Sequence, residues 1–251
     1  MAVRDTREWL KNDWQRPEKY LKQIVDREKA EKQIQFYLQN FGMYRPSQYS
    51  QEKIDQFLDE KYWEYVSLFE RKYKAKWKGK SVPIYIFPYQ SQVNGMGGVT
   101  FSDKLFLFLP LGLSKQKLEA LFVHEYHHSV RLKNLNKKME DFTLLDSIIM
   151  EGLAESAVEE YCGTKYVAEW CHKYSEKDLT RFWSKMIKPN KSVTREDTMH
   201  DRILFGKGFL PTMAGYAVGY KLIQRYLKEH PTVLTLDLLE VDSQEFFREV
   251  L

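Results

Sequence analysis

Cysteine is scarce in this 251-residue chain. Cys162 and Cys171 are too few for a disulfide framework and are not spaced as a zinc pair, so both thiols are expected free in a reducing cytoplasm. Long hydrophobic runs are also missing. The opening Met-Ala-Val-Arg-Asp-Thr-Arg-Glu-Trp-Leu contains no apolar leader core, and no stretch approaches the length that spans a bilayer, so no membrane span is expected. Neither charge sign dominates: 39 Lys and Arg against 35 Asp and Glu leave +4, too mild a balance to argue for nucleic acid. With no Ser/Gly/Pro-rich tract, internal repeat or low-complexity segment, nothing divides the chain, and residues 1–251 read as a single domain.

What is present is ordinary globular material, 43% hydrophobic. Residues 1–80, rich in Lys, Glu, Gln and aromatics, read as several amphipathic helices broken at Pro17, at Arg45-Pro46-Ser47 and at Gly79. They are expected to form a helical cap on a catalytic core spanning residues 81–251. Ser81-Val-Pro-Ile-Tyr-Ile-Phe reads as a strand, and residues 98–109 as a hairpin or a pair of strands. Asn94-Gly-Met-Gly-Gly between them is a turn region; no helix follows it, so it is no phosphate-binding loop. The basic run Arg71–Lys80 encloses Tyr73 and Trp77, a pattern that suits anionic lipid or single-stranded nucleic acid. It equally suits the cationic end of a helix covered by water, which is the reading taken.

His124-Glu125-Tyr126-His127-His128 fits H-E-x-x-H. Ser114 is a candidate N-cap for the helix that carries it, with Leu118, Leu121, Phe122 and Val130 as its apolar stripe. Positions four apart on a helix share a face, so His124 and His128 can offer two imidazole nitrogens to one metal ion, with Glu125 beside its open side. His124 and His127 form a second possible pair, but only the first explains Glu125. His127 is then a packing or hydrogen-bonding residue.

A third ligand is expected from a second helix, residues 147–161, with Asp146 as its N-cap. Glu151 and Glu155 share one face of it among apolar neighbours, where buried acids need partners. Glu151 is assigned as the third zinc ligand. Glu155, one turn on, is assigned to accept a hydrogen bond from a ligand histidine and fix its tautomer. Glu159 and Glu160 read as surface charge. Three protein ligands leave a fourth position for water, the arrangement of a catalytic zinc. The donor to the oxyanion comes from the C-terminal third. Tyr216 is the first choice and His200 the second, with Tyr220 also a candidate. Residues 211–228 read as a helix whose Ala214, Gly215, Ala217 and Gly219 give a small-residue face for close approach.

His124-Glu125-Tyr126-His127-His128 followed by Glu151-Gly152-Leu153-Ala154-Glu155 resembles the gluzincin clan of metallopeptidases and, within it, the bacterial YjaZ-like family of predicted zinc-dependent proteases. The resemblance runs from about residue 81 to 228, through the Gly-rich strand region and the Gly-Tyr-x-x-Gly-Tyr helix. It implies a predominantly helical α+β fold, with the motif helix of a zincin-like core packed beneath a small, partly antiparallel sheet. It also implies one Zn2+ per chain, no other cofactor and a peptide or protein substrate, with an edge strand within residues 98–109 holding the extended peptide. The rival expectation is a non-catalytic or regulatory zinc protein that binds a partner in the same cleft. Glu125 argues against it, because a purely structural zinc needs no general base.

Overall fold

Two five-residue stretches, Ile-Tyr-Ile-Phe-Pro and Leu-Phe-Leu-Phe-Leu, alternate aliphatic with aromatic side chains. A strand sends successive side chains to opposite faces, so each stretch must bury both. In the computed structural model, which describes residues 2–24, 31–90, 95–135, 137, 138 and 141–247, they are β1 (Ile84–Pro88) and β3 (Leu105–Leu109). β2 (Gly97–Thr100) completes a sheet of order β1-β3-β2, with β1 parallel and β2 antiparallel to β3. The fold is thus predominantly helical α+β with one small mixed sheet. Asn94 of the expected turn lies outside the described residues. Of the stretch 98–109, the first strand lies at a sheet edge and β3 is central.

The chain packs as two units, residues 1–129 and 130–251. In the first, register places Tyr85, Phe87, Phe106, Phe108 and Val99 on one face of the sheet. That face meets the N-terminal helices: Trp9 of α1 (Arg7–Asp13) stacks on Tyr85 at 6.2 Å, and Tyr20 of α2 (Glu18–Ile24) on Phe87 at 5.3 Å. Thr6 Oγ1 donates to the Ile86 carbonyl at 2.5 Å and accepts from Trp63 Nε1 at 3.1 Å, so the entry to α1 is pinned to β1. α3 (Glu31–Asn40), α4 (Gln51–Leu58) and α5 (Tyr62–Trp77) follow. The expected breaks appear as the α1–α2 junction at Pro17, a 3-10 turn at Pro46–Gln48, and the left-handed Lys78 that ends α5 just before Gly79. Tyr73 and Trp77 are core residues, 0% and 4% exposed, so the basic run has no free stacking platform.

The opposite face carries Ile84, Ile86, Leu105, Leu107, Gly98 and Thr100, and it is here that Glu125 of α6 (Lys115–Asn134) meets the sheet. Ser114 caps α6 as expected, its Oγ accepting from the Lys117 amide at 3.3 Å.

In the second unit, α7 (Leu144–Cys162) starts three residues earlier than expected. Thr143, not Asp146, is the N-cap; Asp146 is the other half of a capping box, its carboxylate accepting from the Thr143 amide at 2.8 Å. α8 (Glu176–Phe182), α9 (Thr198–Phe205) and α10 (Ala214–Glu229) complete the unit. The small-residue face of α10 lies on α7 at Gly219 and on Leu204 of α9 at Gly215. A Cβ on Gly152 would come within 2.3 Å of the Gly219 backbone, and one on Gly219 within 2.1 Å of the Ile148 carbonyl oxygen. Arg131, past the motif on α6, is fully buried and donates to the carbonyls of Leu238 (2.8 Å) and Val241 (3.0 Å). Burial lowers its pKa to about 10, against the pull of Asp146 and Asp242.

Candidate metal and catalytic site

The pattern on α6 places its histidines as the helical repeat requires. The His124 and His128 rings meet edge to face with centroids 4.6 Å apart, and their Nε2 atoms are 3.0 Å apart. Tyr126, on another side of the helix, stacks between Trp77 (5.8 Å) and Phe122 (5.3 Å). His127 is buried edge-on against Trp77 at 5.7 Å, so it packs away from the histidine pair.

Glu125 is buried against β2. Thr100 Oγ1 lies 2.7 Å from Glu125 Oε2 and 2.9 Å from the Glu125 carbonyl oxygen. A Cβ on Gly98 would stand 2.5 Å from Glu125 Cγ and 2.7 Å from its Oε1. Neither contact was foreseen from the sequence. A Gly-x-Thr alternation ahead of a hairpin offers only the hint that two small residues share one face of the strand.

On α7, Glu151 is the one partly exposed position in the otherwise buried run Leu144–Val158. Gly152, next to it, faces the Gly219 backbone of α10. Glu155 is buried, its Oε2 accepting from the Ala168 amide at 2.8 Å and from the Cys171 thiol at 3.9 Å. Burial, followed by Glu155, pushes the Cys171 thiol pKa far up. Glu160 is exposed, as expected of surface charge, whereas Glu159 is half-buried, and both accept hydrogen bonds. Glu159 takes the Tyr220 hydroxyl at 2.7 Å, and Glu160 takes the Thr235 amide at 2.9 Å and hydroxyl at 2.8 Å.

The candidate oxyanion donors separate clearly. His200 is 1% exposed and has both ring nitrogens engaged, Nε2 with Ser147 Oγ at 2.9 Å and Nδ1 with Asp201 Oδ1 at 3.0 Å. The His200 hydrogen bond also holds the Asp201 carboxyl below its ordinary pKa. Tyr220 donates to Glu159, and burial raises its pKa well above the phenol range. Tyr216 is half-buried, its ring edge-on to Trp170 at 4.9 Å and beside Phe205 at 5.7 Å.

Among the described residues, His124, His128 and Glu151 form a group that can hold a metal ion, each offering one ligand atom and all three atoms lying within 4.8 Å of one another. The donor set fits zinc. Two imidazoles with one carboxylate is a catalytic zinc combination, and two nitrogens on a tetrahedral zinc at about 2.0–2.1 Å stand about 3.3 Å apart. The observed 3.0 Å is close to that span.

Residues 62–248 match the family described as "Predicted Zn-dependent protease (DUF2268)". The chain is 35% identical to the uncharacterized protein YjaZ of Bacillus subtilis (strain 168) over 222 residues, covering 86% of this chain and 85% of that protein. It is 28% identical to a second uncharacterized protein of the same organism, YjfC, over 148 residues, covering 54% of this chain and 49% of that protein. No solved structure matches it.

Proposed function

The chain belongs to this family of predicted Zn-dependent proteases, and from that membership we propose that it hydrolyses peptide bonds with one zinc ion held by His124, His128 and Glu151 and Glu125 as general base. The observation that carries the reading is the His124, His128 and Glu151 group, with Glu125 adjacent in sequence to its first member. A zinc ion in that group supplies Lewis acidity, which acidifies water and polarises a carbonyl.

The rest is done by side chains of this chain. Glu125 takes the proton of the attacking water as the C–O bond forms, and returns it to the amine nitrogen as the C–N bond breaks. Tyr216 donates a hydrogen bond to the oxyanion; of the other two candidates, the His200 ring is engaged by Ser147 and Asp201, and the Tyr220 hydroxyl by Glu159. Glu155 restrains a ligand histidine. β2 is the edge strand that pairs with the extended substrate, which gives affinity with little sequence preference. No helix among the described residues is long and apolar enough to cross a membrane; a reducing cytoplasm is the setting proposed for this chemistry, in keeping with two cysteines that form no disulfide.

The test is Glu125→Gln against a diverse peptide library, with metal content measured alongside. The variant is expected to keep stoichiometric zinc and to lose cleavage by about 100-fold or more. Chelation of the parent is expected to abolish cleavage, and added zinc to restore it. A variant that cleaves as fast as the parent would refute the assigned mechanism, and a zinc-loaded parent that cleaves nothing would favour the rival binding role.

A further inference from the structure

Glutamate has three rotatable side-chain torsions, and on a helix its carboxylate sweeps a wide arc unless something holds it. On α6 that something is strand β2. Gly98 and Thr100 lie two apart in the strand and so on one face, opposite Leu107 and Leu105 of β3. Both are turned to Glu125. The single hydroxyl of Thr100 is shared between two acceptors of the same residue, the Glu125 carbonyl at 2.9 Å and its Oε2 at 2.7 Å. That closes a ring from the backbone of Glu125 through Thr100 to its own carboxylate, so the side chain cannot swing without losing one of the two contacts. The other oxygen is bounded by shape, since the bare Gly98 backbone leaves room for Oε1 where a Cβ would come within 2.7 Å of it. Threonine suits the task because its β-branch restricts χ1 and keeps the hydroxyl aimed.

We propose that Thr100 is a positioning residue for the Glu125 carboxylate and that Gly98 supplies the space into which that carboxylate fits. The proposal rests on the reading of Glu125 as general base. A base displaced by about 1 Å forfeits on the order of 100-fold in rate, so the clamp acts on turnover rather than on substrate binding.

The experiment compares Thr100→Val, which keeps shape and removes the hydroxyl, with Thr100→Ser, which keeps the hydroxyl, and with Gly98→Ala. In the zinc-loaded protein, Thr100→Val is expected to lower kcat about 10- to 100-fold with KM within about two-fold, and Thr100→Ser to restore most of it. Gly98→Ala is expected to lose more, with zinc content unchanged. A second readout needs no activity: in metal-free protein labelled at the glutamate carboxyl carbon, the Glu125 signal (assigned with Glu125→Gln) is expected as a dispersed 13C line in parent and Thr100→Ser. It is expected to move toward the solvent-exposed glutamate range in Thr100→Val. Parent-like kcat and an unmoved line in Thr100→Val would overturn the proposal, as would a loss that Ser fails to rescue. If the zinc-loaded parent cleaves nothing, the protease reading fails, and the carbon line still decides whether Thr100 holds the carboxylate.

Discussion

Glu125 and Glu151 are fixed by opposite means. Glu125 lies in the first unit on a helix that meets a strand, and a side-chain hydroxyl ties it there at 2.7 Å. Glu151 lies in the second unit on a helix that meets another helix. Its neighbour Gly152 touches the Gly219 backbone so closely that no side-chain atom fits between. The first arrangement is a polar contact whose loss leaves the hydrophobic framework intact. The second is a packing contact in which the position of the carboxylate and the stability of the unit are the same quantity. A protein that divides the work this way should separate turnover from folding in one region and fuse them in the other.

The sharpest way to break that comparison is Gly219→Val. Its Cβ would meet the Ile148 carbonyl oxygen at 2.1 Å, and both contacting groups are backbone, which cannot rotate away as a side-chain tip can. Forcing α7 and α10 apart is expected to cost about 3 kcal/mol or more, read as a lower urea midpoint, with zinc content falling alongside. Thr100→Val, by contrast, should shift the midpoint by less than about 1 kcal/mol while removing most of the turnover. If Gly219→Val unfolds at the parent midpoint and keeps its zinc, the second region is not held by packing and the contrast fails.

The sequence was legible where the signal was local. His124, Glu125 and His128 were readable because helical spacing is a four-residue property, and Ser114 because a cap acts three residues ahead. The start of α7 is ambiguous in the sequence because Thr143 and Asp146 are both good cap residues and a reciprocal box uses them together. Residues 98–109 are readable as a hairpin or a pair of strands, whereas the parallel pairing of β1 with β3 is not, because it links strands separated by another. The Thr100–Glu125 bond joins residues 25 apart, with no periodicity to announce it. Glu160 is surface charge as its position suggests, but nothing local announces the hydrogen bonds of Glu159 and Glu160, because their partners Tyr220 and Thr235 are more than sixty positions away.

A smaller effect sharpens the second half of the comparison. The Asp146 carboxyl is pushed up by burial, but the Lys137 ammonium at 2.5 Å and the Thr143 amide and hydroxyl outweigh it, so its pKa lies below the ordinary value of 3.8. A depressed carboxyl contributes stability that is fully present above the unfolded pKa and is lost as pH falls through the folded one. Asp146→Asn should therefore cost about 1 kcal/mol at pH 7. The gap between variant and parent, read from urea midpoints, should be constant down to about pH 5 and close below about 3.8. A gap that persists undiminished at pH 2 would show that packing rather than charge is lost at the start of α7.

The least effect is expected at the basic end of α5, which serves as the control for both regions. Arg71 and Lys74 are exposed, while the aromatics interleaved with them, Tyr73 and Trp77, are sealed in the core. Lys72 of the run pairs with Glu119 at 2.7 Å, whereas exposed cations such as Arg71 and Lys74 gain little from their surroundings, macrodipole support at a helix end being a fraction of a kcal/mol at low ionic strength. The double variant Arg71→Gln, Lys74→Gln should keep parent turnover and shift the urea midpoint by less than about 0.5 kcal/mol. Parent and variant alike should fail to retain a single-stranded oligonucleotide at physiological salt, because stacking on an exposed aromatic face is what makes such binding persist there. Retention by the parent alone would mean that this basic run is a working surface rather than a solvated helix end.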